Sequence, residues 1–207
     1  MKVKNKMEFK DMSYRMITEK MGFDRDAGQS IDGTMTLREM TDYVYNYINK
    51  GNKGCCFHAS VYLMKLLHVL DIESELIITA EPTTLEDGST RIDNRASLLV
   101  KDGDKYIVMN PIEDIEFFEK NSILPKERGK YYLGKTTILN GEKEGIHSKN
   151  AAEIELKDFI KRYGNGSAWT LGTLFNPENK NMTFNEFLKG AKLINLDEYT
   201  SSNQSSI

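Results

Sequence analysis

The chain is poor in the residues that most quickly assign a protein to a class. It has two cysteines in 207 residues, and they are neighbours, Cys55 and Cys56. Adjacent cysteines cannot build a disulfide framework, which points to a reducing compartment, with the cytoplasm as the default. No apolar run approaches the roughly 20 residues needed to span a bilayer. The basic start, Met1-Lys2-Val3-Lys4-Asn5-Lys6, is not followed by an apolar segment, so it does not read as a secretory signal. Neither sign of charge dominates. Lys and Arg number 28 against 31 Asp and Glu, a net charge of −3, which makes nucleic acid a poor candidate partner. There is no phosphate loop, dinucleotide fingerprint or paired-cysteine zinc motif, so no cofactor and no metal site is expected. No internal repeat and no linker divides the chain. With 39% hydrophobic residues, it reads as one α+β domain over residues 1–199 with a flexible tail at 200–207.

What is present gathers in one stretch, Gly54 to Leu70, which holds both cysteines and two of the three histidines. Ala59, Tyr62, Leu63, Leu66, Leu67 and Leu70 recur at spacings of three and four, the stripe of a helix packed on a core. A cysteine in the first turn of such a helix meets free backbone N–H groups and the positive end of the helix dipole. Both favour the thiolate, the form that attacks a carbonyl.

Around it the chain alternates readable elements. Residues 1–22 read as a helix and 23–35 as a loop. Thr36-Leu37-Arg38-Glu39 is a capping box that opens a second helix to about Lys50. Glu75–Ala80 reads as a strand and 82–89 as a loop. Two apolar runs around Asp102-Gly103 form a hairpin that ends at Asn110-Pro111. Beyond it, 112–150 is charged and mixed, with short strands expected at 131–133 and 136–139. Glu113, Asp114 and Glu116 read as a solvated charged turn rather than the alternative, a metal- or amine-binding cluster, because metal ligands usually need histidine or carboxylates from separate segments. A helix is expected over 151–163, a Gly/Ser setting around Trp169, and a second capping box at Thr183-Phe184-Asn185-Glu186 opening a helix to about Ile194.

Several local matches carry a resemblance. Lys53-Gly54-Cys55-Cys56-Phe57 is similar to the Arg-Gly-Gly-x-Cys-Tyr/Phe run of arylamine N-acetyltransferases, members of the transglutaminase-like superfamily, which is related in architecture to papain. Arg95-Ala96-Ser97-Leu98-Leu99-Val100 resembles that family's histidine-bearing strand. Tyr106-Ile107-Val108-Met109-Asn110-Pro111 resembles the returning strand that ends in Asp-Pro. The resemblance spans about residues 36–115. It implies a nucleophile helix packed on an antiparallel sheet, with Cys56 as nucleophile and Asn110 at the position of the orienting acid. It also implies Cys55, Phe57 and Arg95 as substrate contacts, with acyl-CoA as a substrate if the chemistry follows the acetyltransferases.

The family's histidine position holds Arg95, and a guanidinium keeps its proton near neutral pH. It can hold a thiolate or a ligand anion by charge, but it cannot act as the general base. Three histidines could step in. His58 lies about 200° round the helix from Cys56, although it is three residues from Cys55 and can share that residue's face. His68 lies roughly 18 Å from the helix start. Both read as helix-surface or core-edge residues. His147, in a polar stretch, is unconstrained by the motif and is the remaining candidate base, although it also reads as a solvated loop residue.

Two functional expectations follow. One is an enzyme performing acyl transfer or amide-bond chemistry on a peptide or small-molecule substrate through Cys56. The other is an inactive relative whose cleft binds a peptide, metabolite or protein partner, with Arg95 as an anion anchor. A plain interaction domain is a third.

Overall fold

The computed structural model describes residues 3–103, 105–133, 136–137, 154–163 and 167–200. The expectations for His147 and for the tail beyond residue 200 lie outside these residues.

Four helices come first around the sheet's opening hairpin: α1 (Val3–Lys20), α2 (Leu37–Asn49), α3 (Cys56–Val69) and, after three strands, α4 (Pro111–Lys120). Those strands are β1 (Ser74–Thr84), β2 (Thr90–Asp102) and β3 (Lys105–Met109). Next come β4 (Tyr132–Leu133), β5 (Thr136–Thr137), β6 (Ile154–Glu155), α5 (Leu156–Tyr163), β7 (Trp169–Gly172), α6 (Phe184–Lys189), β8 (Lys192–Leu193) and α7 (Leu196–Thr200). Six strands form one antiparallel sheet in the order β6-β3-β2-β1-β7-β8, while β4 and β5 pair separately.

The sheet has a core on each face. Ile17, Val44, Leu63 and Leu67 of the helices pack on Leu76, Ala96, Leu98, Val100 and Met109. Ile77, Leu99 and Val108 face the other way, onto Phe159 and Ile160 of α5. Neighbouring residues thus enter different cores, as the pleat requires.

Both capping boxes form. The Thr36 hydroxyl accepts from the Glu39 N–H, and the Glu39 carboxylate accepts from the Thr36 N–H at 2.9 Å. Thr183 and Glu186 repeat the arrangement. The two helix starts are tied together, because the Leu37 N–H donates to Met182 O and the Phe184 N–H to Met35 O, both at 2.9 Å. α3 ends in a Schellman turn. The Ile72 N–H donates to Leu67 O and the Asp71 N–H to His68 O, with Asp71 left-handed at φ 55°.

Several boundaries differ from the expectations. β1 runs through the anticipated loop to Thr84, with Pro82 opposite Ile92. Pro82 is tolerated because its missing N–H falls on the side away from β2, beyond the last pair that β7 makes, at Ile78. The segment after Asn110 is a helix, with Pro111 in its first turn. Glu113 and Asp114 are therefore buried helix residues rather than a solvated turn, and Asp114 accepts from the Tyr14 hydroxyl at 3.1 Å. Trp169 begins a strand, and α6 stops at Lys189 because Gly190 caps it.

Candidate functional site

The loop before α3 is pinned before the cysteines are placed. The Gly54 N–H donates to Gly22 O at 2.9 Å, and Gly54 O accepts from the Asp24 N–H at 3.0 Å. A side chain at Gly54 would place its Cβ 2.8 Å from both His58 Cβ and Met21 Sδ. Only glycine lets the loop lie this close to the first turn of α3.

From there the two cysteines diverge. Cys55 is the N-cap residue of α3, with extended backbone, and is 8% exposed. Its Sγ lies 3.3 Å from His58 Nδ1. His58 is fully buried, not at the surface or core edge, and its ring packs 5.1 Å from that of Tyr47. Among the described residues its Nε2 has no hydrogen-bond partner, so the contact with Cys55 is the polar interaction they offer to orient the ring. Cys56 is half-buried and turns toward β2. Its Sγ accepts from the Ala96 N–H at 3.4 Å and lies 4.0 Å from Asn94 O.

The electrostatics separate the two sulfurs. The Cys55 thiol is pulled down to about 4, first by a hydrogen bond from the Cys56 thiol and then by the ring and backbone N–H of His58, against the opposing effect of burial. The Cys56 thiol is pushed up by the same bond to Cys55 and by burial, with the Ala96 N–H opposing. Cys55 is therefore the more acidic of the two thiols.

The other expected site residues fall elsewhere. Ala96 and Leu98 face the α3 side, so the pleat turns Arg95 to the opposite face. Asn110, one residue past Met109, is the N-cap residue of α4. It is 1% exposed, and neither of its side-chain polar atoms has a hydrogen-bond partner among the described residues. Arg95 thus leaves the face that α3 covers, while its charge still favours the Cys56 thiolate. Phe57 packs its ring 5.0 Å from that of Phe184. His68 stacks on Phe175 at 4.5 Å, beside a cavity of about 950 Å³ at the far end of α3 that contains neither cysteine. Among the described residues, no three His, Cys, Asp or Glu side chains are arranged to hold a metal ion, and no helix is long and apolar enough to cross a membrane.

The fold and site together define an α+β protein with a cysteine-histidine contact at a helix N-terminus beside an antiparallel sheet. Compared with protein-family models, characterised proteins and solved structures, the chain matches none.

Proposed function

We propose that this is a thiol-dependent enzyme of transglutaminase-like architecture. It would perform acyl transfer or amide-bond chemistry with Cys56 as nucleophile and Cys55, held by His58, as the proton acceptor. The observation that carries this reading is the 3.3 Å contact between Cys55 Sγ and His58 Nδ1 next to a more exposed second thiol. The helix-borne cysteine packed against the β2–β3 hairpin supports the architectural part.

The chemistry closes without a histidine on the sheet. Cys56 sulfur attacks the carbonyl carbon as its proton passes to the Cys55 thiolate. The tetrahedral oxyanion meets the backbone N–H groups of Cys56 and Phe57, which have no intrahelical acceptor in the first turn. As the intermediate collapses, the leaving amine or thiol takes the proton back from Cys55. The acyl group stays on Cys56 until water or an acceptor amine removes it. An acyl-CoA thioester suits the same steps as donor.

A second reading, a binding protein whose cleft no longer reacts, is favoured by the complete burial of His58, which keeps the ring itself from a leaving group.

Iodoacetamide alkylation mapped by mass spectrometry separates the two. The enzyme reading expects Cys56 to react below the ordinary thiol range of about 8.5 only because its proton passes to the Cys55 thiolate as the sulfur is alkylated, and to stop reacting as Cys55 is protonated near pH 4. It also expects Cys55→Ser to slow that reaction, and Cys56→Ala to abolish the mass gain seen with an activated ester. A Cys56 that stays inert in the folded protein overturns it.

A further inference from the structure

The edge of β2 beside Cys56 has a geometry that names a substrate. Asp102 pairs with Lys105 across a two-residue connection. The closing pair of such a hairpin exchanges both of its hydrogen bonds. The even-numbered residues of β2 therefore aim their N–H and C=O groups toward β3. That pairing reaches only as far as Leu98 opposite Met109. The next even residue, Ala96, would face Pro111, which has no N–H and already belongs to α4.

Cys56 occupies the position that β3 leaves. The Ala96 N–H goes to its sulfur, and Asn94 O lies on the same side. Farther along, the main chains of Asn94, Ile92 and Thr90 aim in this direction as well. On their other side β1 pairs along the whole length, ending with Thr84 opposite Thr90. Among the described residues, no strand pairs with 90–96 on the Cys56 side.

We propose that the substrate is an extended peptide, docked as an added strand along β2 at residues 90–94, which brings one of its main-chain carbonyls to Cys56. The edge offers donor and acceptor together at every second residue, a repeat of about 6.8 Å. A peptide main chain carries the complementary pair at the same repeat, so the ladder supplies affinity independently of side chains. The sulfur lies in line with the ladder, in the place of the next partner. This inference rests on Cys56 being the reactive thiol.

The test uses the unaltered protein and changes only the probe. A capped tetrapeptide chloromethyl ketone alkylates Cys56 with loss of chloride, and chloroacetone is the control that has the electrophile without the strand. The peptide is expected to react about tenfold faster or more, as a few net main-chain hydrogen bonds allow. N-methylation is then moved along the peptide one amide at a time. Methyl groups on one alternate set of amides are expected to remove the advantage, and those on the intervening set to leave it. Equal rates for peptide and chloroacetone, or loss of the advantage at every position alike, overturn strand docking while Cys56 still reacts. Failure of iodoacetamide and both ketones to modify Cys56 instead overturns the reactive-thiol reading beneath it.

Discussion

Replacing Cys55 by serine tests the charge on which the site depends. The Cys55 thiol sits at about 4 in the fold against an ordinary 9.0. Folding therefore releases a proton between those values. A depressed folded pKa contributes stability that is complete above the unfolded value and is lost as pH falls through about 4. Within that window the contribution changes by at most about 1.4 kcal/mol per pH unit. Between about pH 5 and about pH 7 this comes to about 3 kcal/mol. Cys56 does not enter in this range, because its raised thiol is protonated in both the folded and unfolded states. Serine is close in size and stays neutral, and carboxylates common to both proteins cancel in the difference.

Urea unfolding of the wild type and Cys55→Ser under reducing conditions measures that difference. The gap between them should widen by about 3 kcal/mol on going from about pH 5 to about pH 7. The far-ultraviolet absorbance of a thiolate should disappear near pH 4 in the wild type and be missing from Cys55→Ser at neutral pH. In His58→Ala the same transition should rise by about one to three pH units, since one hydrogen bond and one nearby charge are removed. Stability gaps that stay parallel across the range, with a thiolate that titrates in the ordinary region, would refute the charged Cys55 and the proton acceptor built on it.

Five further substitutions have outcomes set by packing and local hydrogen bonds. Gly54→Ala drives a methyl group into His58 and Met21, so it should cost about 1–3 kcal/mol in unfolding experiments and raise the Cys55 titration by moving the imidazole. Arg128 is fully buried and donates to Thr18 O at 2.8 Å, Met21 O at 2.7 Å and Glu119 at 3.0 Å. Arg128→Ala should lose about 3 kcal/mol, and Arg128→Lys should recover little, because an ammonium cannot span these acceptors. Thr36→Ala and Thr183→Ala each remove a helix cap and should lower stability by about 1 kcal/mol in thermal or denaturant melts.

The sequence was most legible where a side chain completes its own local structure. Thr36 with Glu39, Thr183 with Glu186, and Asp102-Gly103 name their elements because capping and turn chemistry need only a few neighbouring residues. The limits of β1 were harder to read, since whether Pro82 can sit in a strand depends on which side of it is already paired. Glu113 and Asp114 misled for a similar reason. Their charge suggests solvent, and only the fold supplies Tyr14 and the first turn of α4.

The candidate site was legible in position and not in partnership. The matches at Arg95 and Asn110 place the two in one hairpin, but they do not say which face of it α3 covers. A strand with a polar face would have declared it. Ala96-Ser97-Leu98-Leu99-Val100 is buried on both sides, so its apolar pattern carries no alternation and both orientations read alike. The structure settles the orientation through Ala96 and Leu98, and the residue facing the cysteine helix then has no side-chain base to offer. A histidine contact is made instead from within the helix, at the spacing of three that joins Cys55 to His58. That spacing is visible in the sequence. What hides its importance is that Cys55 and Cys56 must take opposite roles, one buried against the histidine and one turned to the strand edge. Their roles follow from the N-cap geometry of Cys55, which turns its sulfur toward the first turn of its own helix, while Cys56, one residue on, is already helical and directed at β2.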